Sequence, residues 1–176
     1  MRIKVSDEIV VSPINDTDKP AYLEHLKVDD ISRTTLRIPH PYTAMDADEW
    51  LRILRAQREE LGQNLTYAIR NREGFLIGGI GFDGFTPGRD HKAEIGYWLA
   101  KPYWGKGIMT DVVKAVTEYG FREFNLARIS ANVMAFNTAS SRVLEKCGYE
   151  LEGIAARFYC KGGEFIDAKL YAKLRP

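Results

Sequence analysis

The stretch Lys92-Ala93-Glu94-Ile95-Gly96-Tyr97-Trp98-Leu99-Ala100-Lys101-Pro102-Tyr103-Trp104-Gly105-Lys106-Gly107-Ile108-Met109-Thr110 decides the fold. Residues 92–100 read as a strand. A helix follows, in which Ile108, Val112, Val116 and Tyr119 recur at the helical period as far as about Phe124. Ile129, Ala131, Val133 and Ala135 then alternate with Arg128, Ser130, Asn132 and Met134, the period of a second strand. Strand, helix and strand in that order imply a parallel crossover. Gly105-Lys106-Gly107 falls where strand becomes helix. Free backbone N–H groups and the positive end of the helix dipole favour phosphate there, and Lys106 adds a charge. A turn that needs unusual dihedrals at glycine would leave the same letters. It is not a Walker loop, because Gly-Lys is followed by Gly and the earlier glycine is missing.

Towards the N-terminus, residues 8–14 read as a short strand closed by Pro13. Asp16, Thr17 and Asp18 are N-cap types for a helix reaching about Val28. Residues 30–44 read as a loop with Pro39 and Pro41. A second helix starts near Asp46 and carries Ala47, Trp50, Leu51, Leu54 and Leu61 on one face. Leu65, Tyr67 and Ile69 alternate with Thr66, Ala68 and Arg70. Asn71-Arg72-Glu73-Gly74 is a turn, and residues 75–82 are the returning strand. Towards the C-terminus, residues 137–147 read as a short helix stopped by Gly148, and the tail as a hairpin turning at Lys161-Gly162-Gly163-Glu164. The whole predicts one α/β domain over residues 1–176. Its mixed, mostly antiparallel sheet has about seven strands, with helices on both faces.

The 176 residues include 25 Lys+Arg and 24 Asp+Glu, a formal net charge of +1, which argues against a nucleic-acid coat or a polybasic membrane anchor. Hydrophobic residues make up 45%, so a chain of this length builds its core without a metal or disulfide staple. The opening Arg2-Ile3-Lys4-Val5-Ser6-Asp7-Glu8 lacks the apolar core of a signal peptide, and no apolar run approaches the ~20 residues of a membrane helix. The expectation is a soluble cytoplasmic protein. Cys147 and Cys160 form neither a disulfide framework nor a zinc motif, and both read as buried structural cysteines. His25, His40 and His91 have no metal spacing; His40, between two prolines, reads as surface or as a lining of an acceptor pocket. Gly79-Ile80-Gly81-Phe82-Asp83-Gly84 matches G-x-G-x-x-G, but loop follows it instead of helix. It reads as a strand kept narrow for close backbone approach, or bulged. Asn137 is a good N-cap, with Val143, Leu144 and Cys147 as the buried stripe of its helix.

Three segments in order, residues 93–99, Pro102-Tyr103-Trp104-Gly105-Lys106-Gly107-Ile108-Met109-Thr110, and Asn137-Thr138-Ala139-Ser140-Ser141-Arg142-Val143-Leu144-Glu145-Lys146-Cys147-Gly148-Tyr149, resemble the GCN5-related N-acetyltransferase (GNAT) superfamily. They look most like its RimJ/RimL-like branch of ribosomal-protein N-terminal acetyltransferases. Pro39-His40-Pro41-Tyr42-Thr43 and Asp167-Ala168-Lys169-Leu170-Tyr171 also look like that branch. The likeness covers nearly the whole chain. Its motifs speak to superfamily and acetyl-CoA, and hardly to the acceptor.

The resemblance implies acetyl-CoA as co-substrate and no metal. The pyrophosphate would rest on backbone N–H groups of Gly105, Lys106, Gly107, Ile108, Met109 and Thr110, beside Trp104. The pantetheine arm would pair with the backbone of Tyr97, Trp98 and Leu99, where that strand splays from its parallel neighbour. The side chain of Asn137 would hold the arm. Glu94 stands where many members place a carboxylate base, often acting through water; a solvated strand carboxylate is the plain alternative. The oxyanion donor would be a backbone N–H near residues 97–99. The acid tyrosine common in the superfamily is absent, since Leu144 takes its position. The branch has a serine three residues after the asparagine, matched by Ser140, which either serves the departing thiolate or only the first turn of its helix.

Neutralising a protein α-amine of pKa about 7.7–8.0 at pH 7 costs about 1 kcal/mol, against roughly 4–5 for a lysine or polyamine near 10.4. One remote carboxylate suits the first task, in keeping with the branch. Residues 30–44 and the first two helices, the expected acceptor lining, mix Asp29, Asp30, Asp46, Asp48 and Glu49 with Arg33 and Arg37, with no acidic cup in sequence. The first expectation is acetylation of a protein N-terminus. A small amine (polyamine, amino acid or aminoglycoside) is the alternative. A non-catalytic acyl-CoA-binding module is a third, disfavoured by Glu94 and Ser140 together. Monomer and homodimer both remain open, although the alternating C-terminal strand reads as an edge able to pair.

Overall fold

The computed structural model describes residues 2–176; Met1 lies outside the described residues. The strands are β1 (Ile3–Lys4), β2 (Val10–Pro13), β3 (Thr66–Arg70), β4 (Leu76–Asp83), β5 (Lys92–Leu99), β6 (Arg128–Met134), β7 (Glu150–Lys161) and β8 (Glu164–Leu174). The helices are α1 (Lys19–His25), α2 (Asp29–Ser32), α3 (Ala44–Leu61), α4 (Ile108–Glu123) and α5 (Thr138–Lys146). All eight strands belong to one sheet, in the order β1-β2-β3-β4-β5-β6-β8-β7. Pairing is antiparallel at β1/β2, β2/β3, β3/β4, β6/β8 and β7/β8. The exception is β5/β6, parallel as the crossover through α4 requires. The sheet has one strand more than expected, the two-residue β1.

The N-terminal helix is shorter than the expected reach to about Val28. A 3₁₀ turn at Asp16–Asp18 comes first, closed by a capping box in which Asn15 accepts from Thr17 and the Asp18 carboxylate accepts from the Asn15 N–H. α1 then stops at His25, and α2 adds a short turn inside the stretch expected to be loop. The break sends both Leu26 and Ile31 inward, each 2% exposed. Helix α3 starts two residues before Asp46 because that residue is the third of the helix. Its carboxylate accepts from the Thr43 N–H at 2.7 Å, while the Thr43 hydroxyl accepts from the Asp46 N–H at 3.3 Å.

Contacts divide the chain into two compact units, Met1–Gly81 with Tyr97–Ile108, and Phe82–Gly96 with Met109–Pro176. In the first, Tyr22, Leu26, Ile31, Ala68 and Leu76 form a buried cluster, with Ile38, Tyr42, Trp50 and Trp98 packed on it. β4 runs narrow beside β5: a Cβ on Gly78 would stand 2.5 Å from the Trp98 carbonyl oxygen, and one on Gly79 2.6 Å from Trp98 Nε1. The G-x-G-x-x-G letters are therefore a close-approach strand, with no helix behind them. In the second unit, Val112, Val113 and Val116 of α4, Ile129, Ala131 and Val133 of β6, and Leu144 of α5 are buried. Buried Thr117 and Tyr149 join their hydroxyls at 2.7 Å. Val143, expected in that stripe, is only half-buried, and Ser141 is buried instead.

The C-terminal strand corrects an expectation. β8 is paired on both sides, with β6 and with β7, and is not an edge. Ala168, Tyr171 and Ala172 of β8 are buried, whereas no residue of β7 is. The apolar strand takes the interior place and β7 takes the edge. Among the described residues no helix is long and apolar enough to cross a membrane.

The deepest polar contact of the first unit joins β3 to the 3₁₀ turn. Arg70 donates to the two Asp18 carboxylate oxygens at 2.6 and 2.8 Å, to the Ser12 hydroxyl at 2.7 Å and to the Pro13 carbonyl at 2.9 Å. The Arg70 and Asp18 side chains are only 13% and 6% exposed. Removing one member of such a pair leaves the other charged and desolvated. Asp18→Ala should lower unfolding stability by about 3–5 kcal/mol in urea titration. Asp16→Ala, which breaks the exposed Asp16–Arg55 pair, should barely move the midpoint.

Candidate active site

The site is built on β5 and the turn after it. Glu94 is half-buried in mid-strand. The side-chain amide of Asn132 on β6 donates to Glu94 Oε2 at 2.8 Å. Ser130 donates to the Ala93 carbonyl at 3.3 Å, and the Tyr159 hydroxyl donates to the Asn132 carbonyl at 3.1 Å. The parallel ladder joins Lys92, Ala93 and Glu94 to Arg128, Ile129 and Ser130, while β5 runs on to Leu99 and β6 to Met134. Glu94 thus occupies the last rung of the ladder. Tyr97 and Trp98 farther along β5 are half-buried and Leu99 is buried. The Trp98 ring lies 5.8 Å from that of Tyr22.

After β5 the chain makes a 3₁₀ turn at Lys101–Tyr103, pinned by Trp104, whose indole N–H donates to the Leu99 carbonyl at 2.6 Å. Lys106 stands over the Tyr103 ring at 5.5 Å. Gly105 and Gly107 have φ of +73° and +79°, and an added Cβ at either meets nothing within 4 Å. The conformation therefore demands glycine, and the space beside it is open, so the two readings of these glycines are compatible. The 16-residue α4 begins immediately afterwards, its first amides without intrahelical acceptors. Met109 is buried and Ile108 and Thr110 half-buried, so what this end offers a ligand is backbone. Asn137 caps α5, its Oδ1 accepting from the Ser140 N–H at 3.1 Å. Its amide nitrogen is then the end suited to donate to a ligand carbonyl. Ser140 is half-buried in the first turn of α5.

On the helical side, the Trp50 indole donates to the Tyr22 hydroxyl at 3.2 Å. Half-buried Tyr42 has its phenol pushed up to about 12, by burial first and by the negative charge of Asp46 second. Four acids of this region have local partners. Asp30 pairs with Lys101 at 3.0 Å, Asp48 with Lys19 at 2.5 Å and Glu49 with Arg52 at 2.6 Å, while Asp46 sits in its capping box. His40 is exposed, and His25 Nε2 lies 3.1 Å from the Leu76 carbonyl. Among the described residues no group of three or more His, Cys, Asp or Glu is placed to hold a metal.

Sequence reading missed Asn132. It stood only as a polar residue of an alternating strand, and nothing in its type separates it from Ser130. The parallel register supplies the signal, since Ser130 faces Glu94 and Asn132 is the next side chain on that face. The reading of both cysteines as buried is half wrong. Cys147 is buried with its thiol directed at the Thr110 carbonyl, but Cys160 is exposed, because it sits on edge strand β7.

A family model for the acetyltransferase (GNAT) domain matches residues 8–150. The chain belongs to the GNAT acetyltransferase family. The probable N-acetyltransferase YjcK of Bacillus subtilis (strain 168) is 44% identical over 101 residues, 57% of this chain and 56% of that protein. The [ribosomal protein uS5]-alanine N-acetyltransferase of Escherichia coli (strain K12) is 32% identical over 101 residues, 57% of this chain and 52% of its own. These matches span little more than half the length of either relative. The L-amino acid N-acetyltransferase AaaT of the same E. coli strain is 25% identical over 169 residues, 96% of this chain and 99% of that protein. Among solved structures, Mycobacterium smegmatis RimJ in complex with CoA-disulfide has a TM-score of 0.82 at 25% identity, covering 94% of this chain and 81% of that one. The uS5 and RimJ likenesses support the RimJ/RimL-like branch.

Burial also holds the Cys147 thiol above its usual range. In the native protein a thiol reagent should therefore meet one fast cysteine, Cys160, and a second only on unfolding. Cys160→Ser should abolish the fast phase, and two fast thiols would contradict the burial of Cys147.

Proposed function

We propose that this protein, acting as one catalytic domain, is an acetyl-CoA-dependent N-acetyltransferase that transfers the acetyl group directly to the α-amine of a protein N-terminus, with Glu94 as base. The observation that carries the reading is the placement of Glu94. It is held by Asn132 on the last rung of the β5/β6 ladder, on the strand that leads into the glycine turn.

The residues fit acetyl-CoA. The open glycine turn at the head of α4 suits the pyrophosphate. The backbone of Tyr97, Trp98 and Leu99 suits the pantetheine arm, and the Asn137 amide is a donor for its carbonyls. Glu94, directly or through a water, takes the proton of the incoming ammonium. The freed amine nitrogen bonds to the acetyl carbon as the carbon–sulfur bond breaks. A backbone N–H of residues 97–99 faces the oxyanion, and Ser140 supplies a hydrogen bond or proton to the departing thiolate. Acetyl-CoA and nascent ribosomal protein would be met in the cytoplasm.

The acceptor preference rests on charge. A polycationic acceptor needs uncompensated acids, and Asp30, Asp48 and Glu49 are engaged by Lys101, Lys19 and Arg52, and Asp46 by a helix cap. A free α-amine needs a single carboxylate. The alanine N-acetylation of the uS5 enzyme agrees with that, and the AaaT likeness makes an amino-acid acceptor the arm to test beside it.

CoA release from acetyl-CoA should be followed with N-terminal peptides, amino acids, polyamines and aminoglycosides. Turnover is expected with free α-amine peptides, and Glu94→Gln should lower it by about 100-fold or more. Turnover with amino acids alone would keep the chemistry and replace the acceptor. Gly107→Val puts a β-branched residue at φ +79° in otherwise open space. It should weaken CoA binding by about 10- to 100-fold in calorimetry, the worth of a lost charge-assisted hydrogen bond. Unchanged affinity would move the pyrophosphate elsewhere.

A further inference from the structure

We infer that Asn132 is a positioning residue for the base: its side-chain amide holds the Glu94 carboxylate ionised and aimed from the last rung of the β5/β6 ladder. The inference rests on the reading of Glu94 as base. A carboxylate on a strand has two free torsions beyond Cβ and swings widely unless something grips it. Asn132 grips it from the neighbouring strand, its N–H donating at 2.8 Å. The amide takes Oε2 of the carboxylate. Asn132 is itself fixed. It sits in the β6/β8 ladder opposite Leu170, and its carbonyl receives the Tyr159 hydroxyl of β7. A neutral donor also suits the task better than a cation would. Arginine or lysine at this position would clamp the carboxylate and depress its basicity, whereas an amide orients it and leaves it able to take a proton.

The other titratable groups near this face are few. Lys92 is two residues back on β5, Arg128 is paired with Glu152 across β6 and β7, and Tyr159 is on β7. None of them changes when Asn132 does, so a shift in Glu94 on substitution reports the amide.

Glu94 should be titrated directly by the carbon-13 resonance of its side-chain carboxyl, assigned by its loss in Glu94→Gln. The same titration is then made in Asn132→Ala and in the isosteric Asn132→Asp. Loss of a donor to the ionised form raises a carboxyl pKa, and a second carboxylate at hydrogen-bond distance raises it further. The Glu94 midpoint should rise by about one pH unit in Asn132→Ala and by more in Asn132→Asp. The acid limb of kcat/KM for the peptide acceptor should move up with it. At neutral pH, kcat should fall roughly tenfold in Asn132→Ala with KM for acetyl-CoA unchanged. Asn132→Asp keeps the size of the side chain, so a folding defect in the alanine variant does not remove the test. A Glu94 midpoint that stays put in both variants overturns the inference while leaving the base reading intact. Full turnover in Glu94→Gln overturns the base reading, and the inference with it, and the resonance titration tells the two failures apart.

Discussion

The parallel ladder between β5 and β6 is three residues long, and much of the remaining architecture follows from that short contact. Two parallel neighbours need a crossover, and the crossover here is α4. The helix must therefore begin just after the carboxyl end of β5, so its unpaired amides and positive dipole end fall at the end of the same strand that carries Glu94. The turn linking strand to helix has to reverse tightly, hence two residues of positive φ and two glycines. A phosphate-favouring helix terminus and a strand with a carboxylate in its middle are joined by one continuous piece of chain.

This local origin explains what could be read from sequence. The residues from 92 to 110 and from 137 to 149 carry their information in near neighbours: alternation along β5, glycines in the turn, the helical period of α4, and Asn137 at the cap of α5. Each is set by backbone sterics or by hydrogen bonds a few residues long. The resemblance to the GNAT family stands on the same segments, and the family match over residues 8–150 agrees with it. What could not be read depends on partners far apart in the chain. Asn132 becomes significant only when the register places it beside a strand 38 residues earlier. Cys160 is exposed because β7 lies outside β8, an order that local alternation does not encode. The short turn of α2 inside the expected loop is a tertiary choice too, placing Ile31 in one cluster with Leu26.

The hairpin of β7 and β8 shows why alternation alone misplaces a strand. Both strands alternate, but their burial differs: Ala168, Tyr171 and Ala172 have the small or amphipathic character that lets β8 sit between two neighbours under a helix layer, whereas β7 presents Leu151, Ile154 and Phe158 largely to solvent. A strand with that much exposed surface is tolerable at an edge and untenable inside. Composition on the two faces, not period, decides which strand is interior.

Charge gives the last constraint. The chain is nearly neutral, and Asp30, Asp48 and Glu49 meet basic side chains close by while Asp46 sits in a helix cap. Such a surface offers no strong field to draw in or concentrate a polycation, whose amines would each need about 4–5 kcal/mol to shed a proton at pH 7. An α-amine asks for about 1 kcal/mol, within the reach of a single half-buried carboxylate held by a neutral amide. If Glu94 is the base as proposed, clamping by a cation would make it a poorer one, and deeper burial would neutralise it. On the proposed reading, the Asn132 amide and partial exposure suit a glutamate that has to accept a proton.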